Sequence, residues 1–191
     1  MNTITALTQP ATLGESGGLR SLLTSLVRTD GSVSSLVLRL TLAGVMFPHG
    51  AQKLLGWFGG YGFDGTMNYF TGTMHIPSAL AFLVIASEAF GSLGLLFGLG
   101  TRLAAFGAAA TMIGAVLTTH LKVGFFMNWF GNQPGEGLEY HLLALALALP
   151  LVVRGGGAFS LDRRLFEALE LRRERALRTG RARQGLSPQA S

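Results

Sequence analysis

The chain has 191 residues, 49% of them hydrophobic and only 13% charged, with a formal net charge of +5 and no cysteine. A mean hydropathy of +0.42 is too apolar for an ordinary soluble domain of this length, and the charges gather near the ends rather than over a basic surface that would bind nucleic acid. The missing thiols exclude disulfides, thiolate nucleophiles and cysteine-held iron–sulfur clusters, so any redox chemistry draws on a cofactor or a partner.

From Met1 to Gly18 the chain is rich in Thr, Ser and Gly and lacks the basic start and apolar core of a secretory signal, so the first apolar segment reads as retained. Residues 1–30 form a tail in which Leu19, Leu22, Leu23, Leu26 and Val27 recur at helical spacing beside Arg20 and Arg28. That pattern predicts a short interfacial amphipathic helix.

Crossing about 30 Å of hydrocarbon takes roughly 20 helical residues. Four stretches match: Val33–Trp57, Pro77–Leu99, Arg102–Val123 and a shorter one, Leu138–Val153. The second and third are apolar or small on nearly every helical face, and none alternates in polarity as a barrel strand does. The fold class predicted is all-α, an integral membrane four-helix bundle over residues 31–157 with interfacial helices at both ends. Gly91, Gly94 and Gly98 on the second span answer Ala104, Gly107, Ala108, Thr111 and Gly114 on the third, which predicts a close-packed hairpin. Residues 158–191 predict a basic amphipathic helix capped by Ser160. Leu161, Leu165, Phe166 and Leu169 share one face, Arg163/Glu167 and Glu174/Arg178 pair at i,i+4, and disorder is expected beyond Thr179.

Orientation follows from the arginines. Arg20 and Arg28 precede the first span, Arg102 opens the third, and a run from Arg154 to Arg183 follows the fourth, all on one side. The opposite connections, 58–76 and 124–137, contain no lysine or arginine. Positive flanks stay cytoplasmic, so both termini are expected in the cytoplasm of a bacterium whose inner membrane holds the bundle.

Ionisable groups at membrane depth cost about 2.5–3.5 kcal/mol each on insertion scales and call for a partner or a purpose. Arg39, His49 and Lys53 fall within an arc of roughly 80° on the first span and should face the bundle. His49 and Lys53 lie in the outer third, level with His120, Glu139 and His141. Glu88 lies near the midplane, where a carboxylate must be protonated or held by a cation, with Arg39 and Lys53 the candidates. Pro48 removes a helical hydrogen bond and bends the first span beside His49.

Trp57, Phe58 and Tyr61, and again Phe125, Phe126, Trp129 and Phe130, read either as an aromatic belt or as the lid of a pocket for an amphipathic ring molecule. The charged cluster reads either as a network that fixes the bundle or as a ligand and proton-transfer site. In the second reading His49, Lys53, Glu88 and Glu139 carry the chemistry, and Arg39, Gln52, Trp57, His120, Trp129, Tyr140 and His141 bind the ligand. Three histidines and a carboxylate lack the spacing of a metal site, and none is assigned.

The segment LRLTLAGVMFPHGAQKLLGWFGGYGFDGT, with Arg39, His49, Gly50, Gln52, Lys53 and Gly56 in place, resembles the DoxX family of small bacterial membrane proteins. Glu88, GLLFGLGTRLAA, EYHLLALALALPLVV and GGGAFSLDRRL extend the resemblance over about Ser35 to Leu165. It implies four membrane helices and a redox-associated role, since named relatives include subunits of a thiosulfate:quinone oxidoreductase and proteins of oxidative-stress defence. No covalent cofactor is expected; a quinone is the ligand implied, a partner would supply electrons, and the chain is expected in a membrane complex with a protein partner or as a homo-oligomer. If the chain is an enzyme, it is a quinone-linked oxidoreductase subunit acting with that partner. The alternative is a noncatalytic scaffold or assembly subunit.

Overall fold

The computed structural model describes residues 16–183, and the tails expected at either extreme, 1–15 and 184–191, lie outside them. Seven helices and no strand form among the described residues: α1 (Ser16–Val27), α2 (Val33–Leu55), α3 (Gly62–Asn68), α4 (Ser78–Phe97), α5 (Thr101–Thr118), α6 (Glu139–Arg154) and α7 (Leu161–Arg183). The fold is all-helical as predicted. Helix α7 continues to Arg183, past the point where disorder was expected.

Helix ends follow local chemistry. The Ser32 hydroxyl accepts the Ser35 N–H at 3.4 Å to open α2, and Gly56, at φ 73°, closes it in a left-handed conformation that only glycine adopts freely. Helix α5 stops at Thr118, earlier than the sequence suggests, and His120–Lys122 form a tight 3₁₀ turn outside it.

Helices α2, α4, α5 and α6 pack together, with the widest contact between α2 and α4, and α6 lying against α5 and α2. Leu42, Met46, Leu95, Ala105, Ala109, Met112, Ala148 and Leu151 form the buried core. Small residues set the closest approaches. A Cβ at Gly50 would stand 2.6 Å from the Ala89 Cα, so α2 meets the α4 backbone there. On the α4–α5 hairpin, Gly91 rests against Ala104 and Gly107 against Ser87. Gly98 departs from the predicted stripe: at φ 65° it caps α4 and lies against Ser160 instead.

The outer surface is apolar, with Phe82, Leu83, Phe90 and Phe97 of α4 and Leu103, Phe106, Ile113 and Leu117 of α5 all exposed. That is a face for acyl chains rather than water. Helices α2, α4 and α5 are each long and apolar enough to cross a membrane, whereas α6, with 16 residues, is shorter. Even so, α6 returns the chain to the end where α2 began, and α7 packs against α1 there.

That basic end is tied by one arginine and one aspartate. Arg39, 1% exposed, donates to the Leu95 and Leu96 carbonyls in the last turn of α4 at 2.8 and 2.7 Å, the first of which also accepts the Gly98 N–H, and to Gly156 O at 3.1 Å. Its remaining donors reach the carbonyls of Ala158 and Phe159, each at 3.4 Å. Asp162 accepts the Gly100 and Thr101 N–H groups, both at 2.8 Å, so its charge sits at the N-terminus of α5. Ser160 accepts the Arg163 N–H at 3.2 Å, the predicted cap of α7. Arg163 pairs with Glu167 as expected, but Glu174 and Arg178 do not pair, and Arg173 meets Glu170 instead.

Candidate functional site

The other end of the bundle gathers titratable side chains from α2, α4, α6 and the His120–Lys122 turn. Near the end of α2, Lys53 donates to Glu88 of α4 at 2.5 Å. Of the two candidate cations, the structure pairs Glu88 with Lys53, while Arg39 stands at the opposite end with its donors occupied by carbonyls. Glu88 is buried at 4% exposure and Lys53 at 24% reaches toward the surface. A carboxylate so enclosed needs its cation, and the pair holds α2 to α4.

Beside that pair is a cavity of about 270 Å³ lined by Gln52, Lys53, Tyr61, Thr66, Tyr69 and Phe70. Its floor is α2, and its wall is α3 with the wide π turn Tyr69–Thr73 that extends it. Gln52 donates from Nε2 to the Phe58 carbonyl at 3.2 Å, which closes the loop over the end of α2. Gly60 crosses the Gln52 backbone so closely that a Cβ would clash, which fixes the loop as the cavity rim.

A second group lies on the α6 side of α2. His49, one turn before Lys53, faces the Tyr140 ring with centroids 6.1 Å apart, and Tyr140 meets His141 edge-on at 5.6 Å. His141 lies against His120, their rings 4.0 Å apart. The Tyr140 hydroxyl and the His141 Nδ1 are buried and have no hydrogen-bond partner. Orphaned polar atoms of this kind are rare in folded proteins and carry a desolvation cost of about 1–3 kcal/mol each. His49 itself is exposed, so this group opens sideways between α2 and α6.

Other residues singled out by sequence have bracing roles. Glu139 accepts the Met127 N–H at 3.3 Å and Glu136 the Asn128 N–H at 2.7 Å, while His120 Nδ1 contacts Glu136 O at 2.7 Å; together they fold the 124–137 loop onto the helix ends. Trp57 and Trp129 are exposed and do not line the cavity. The aromatic lining comes instead from Tyr61, Tyr69 and Phe70. The sequence reading took residues 58–76 as a plain connection and missed α3. The signal was present: Thr66, Tyr69 and Phe70 recur at i, i+3 and i+4, the spacing of one helical face.

A buried carboxylate–ammonium pair beside an aromatic cavity can bind a flat, polar-edged ring and exchange protons with it. The DoxX family model matches residues 34–121, a range that contains Arg39, His49, Lys53, Glu88 and His120. A Bacillus subtilis (strain 168) protein named "Putative oxidoreductase CatD" is 30% identical over 135 residues, covering 71% of this chain and 89% of that protein. No solved structure matches the chain. The family match across α2, α4 and α5, together with a relative covered over most of its length, shows that the chain belongs to the DoxX family.

Proposed function

We propose that the chain is a redox-associated membrane subunit that binds a quinone-type ring at the end of the bundle away from α1 and α7. The observation that carries this reading is the coincidence, at one level, of the Lys53–Glu88 pair, an aromatic cavity, and two buried polar atoms with no partner. Lys53 would hydrogen-bond a ring oxygen, Tyr61, Tyr69 and Phe70 would flank the ring, and Glu88, paired with Lys53, would hold or release the proton. Such a ring supplies two-electron, two-proton chemistry. The chain has no cysteine to carry electrons, so a partner provides them.

In this reading α6 is the fourth crossing and the bundle lies in a bacterial inner membrane with both termini cytoplasmic, as the arginine distribution favours. The purified full chain in detergent, titrated with a short-chain quinone, is expected to show saturable binding that Lys53→Ala weakens. Absence of saturable binding to the wild-type chain removes the reading.

A noncatalytic assembly subunit is the second reading. It is favoured by α7, whose side chains are almost all exposed from Arg163 to Thr179 and so are free to meet another protein. On that reading His49→Ala and Lys53→Ala lower thermal stability in detergent without selectively removing any binding or activity.

A further inference from the structure

At the basic end, α2 and α6 diverge and leave an open groove of about 800 Å³ lined by Ser34, Val37, Leu149, Pro150, Val153 and Arg154. Its walls are the aliphatic side chains, of which Val37 is 57% exposed, Leu149 54% and Val153 72%, so the groove faces the surroundings of the bundle rather than its interior. Its polar groups are confined to one end: Ser34 in the first turn of α2 and Arg154, the last residue of α6. Arg154 joins none of the ion pairs among the described residues, and no acidic residue lines the groove.

We infer that this groove binds an anionic glycerophospholipid, with an acyl chain along Val37, Leu149 and Val153 and the phosphate held by Arg154. The charge complementarity is specific to an anion. Arg154 lies beside the positive N-terminal end of α2, and Arg102 is anchored close by through the Val152 and Arg28 carbonyls at 3.1 and 3.0 Å. A groove that is apolar along its length and basic at one end matches an amphiphile at a membrane surface, and basic pockets between membrane helices take anionic headgroups. A second copy of the chain fits less well. A symmetric contact would set Arg154 against its own equivalent, with no carboxylate in the patch to relieve it. The inference is independent of what the opposite end binds.

The test uses the full chain, stripped of lipid in detergent, with native mass spectrometry after adding phosphatidylglycerol or phosphatidylcholine of identical acyl chains. The wild type is expected to retain phosphatidylglycerol about tenfold better, because the choline cation of phosphatidylcholine offsets the phosphate charge that Arg154 meets. Arg154→Gln should bring the two lipids level, whereas Arg164→Gln, on exposed α7, should keep the preference. Val37→Trp, which fills the groove, should lower retention of both lipids; since Val37 faces outward, its melting temperature checks that the bundle is intact. Equal retention of both lipids by the wild type overturns the inference. So does a preference that survives Arg154→Gln or disappears with Arg164→Gln.

Discussion

The two ends of the bundle treat buried charge in opposite ways. At the basic end Arg39 has its guanidinium ringed by five carbonyl acceptors, and Asp162 receives two backbone N–H groups. Those charges complete helix termini and leave nothing for a ligand to do. At the other end the Lys53–Glu88 pair adjoins a cavity, and the Tyr140 hydroxyl and His141 Nδ1 lie nearby without partners. The contrast teaches that an ionisable residue in a membrane helix is not by itself a mark of function. The cavity it adjoins is the better guide, since buried hydroxyls without partners occur at both ends, Ser35 and Thr101 at the basic one.

Substitutions at three positions can break or sharpen this contrast. The largest effect is expected from Arg39→Ala, which strands the carbonyls at the end of α4 and in the 156–159 segment. It should destabilise the bundle by about 3–5 kcal/mol, the scale seen when one partner of a buried charged network is removed. Arg39→Lys should recover little, since an ammonium cannot span the same set of acceptors. Thermal melting in detergent reads both. A small loss in Arg39→Ala would mean that the basic end is not the structural lock described here.

Gly50→Ala should come next. Its Cβ would press within 2.6 Å of the Glu88 carbonyl oxygen and the Ala89 Cα, so α2 and α4 must separate where the ion pair sits. Overpacking of this kind costs about 1–3 kcal/mol, and ring binding should weaken with it. A variant with unchanged melting and binding would show that the close approach does not position the pair.

Tyr140→Phe should have the smallest effect on stability, within about 1 kcal/mol and in the stabilising direction, because the hydroxyl it removes bonds to nothing. The sharper readout is the quinone titration, where the same change should reduce affinity if that hydroxyl meets the ligand. A marked loss of stability with binding unchanged would reassign Tyr140 to the structural class of Arg39.

Much of the fold was legible because its determinants are local or periodic. Apolar runs near the length of a bilayer marked α2, α4 and α5, Ser160 marked the start of α7, and the leucine spacing marked α1. The candidate site was legible only as a list. Helical geometry placed Arg39, His49 and Lys53 on one arc facing the bundle, but the arc extends over about four turns of axis, and Arg39 is buried, Lys53 half-buried and His49 exposed. Axial distance separates Arg39 from the others, and it alone reaches the Leu95 and Leu96 carbonyls at the end of α4.

The remainder depended on partners remote in sequence. That Glu88 takes Lys53 and not Arg39 follows from where α4 crosses α2 at Gly50, a backbone approach no single-helix pattern contains. That Gly98 turns the chain toward Ser160, that Tyr69 and Phe70 replace Trp57 and Trp129 as cavity walls, and that a groove opens between α2 and α6 all depend on how the helices meet. Hydrophobicity and helical period act along one segment and can be read there. Which buried polar groups find partners is settled between segments, because a hydrogen bond needs its two atoms within about 3 Å and only the packed bundle brings them there.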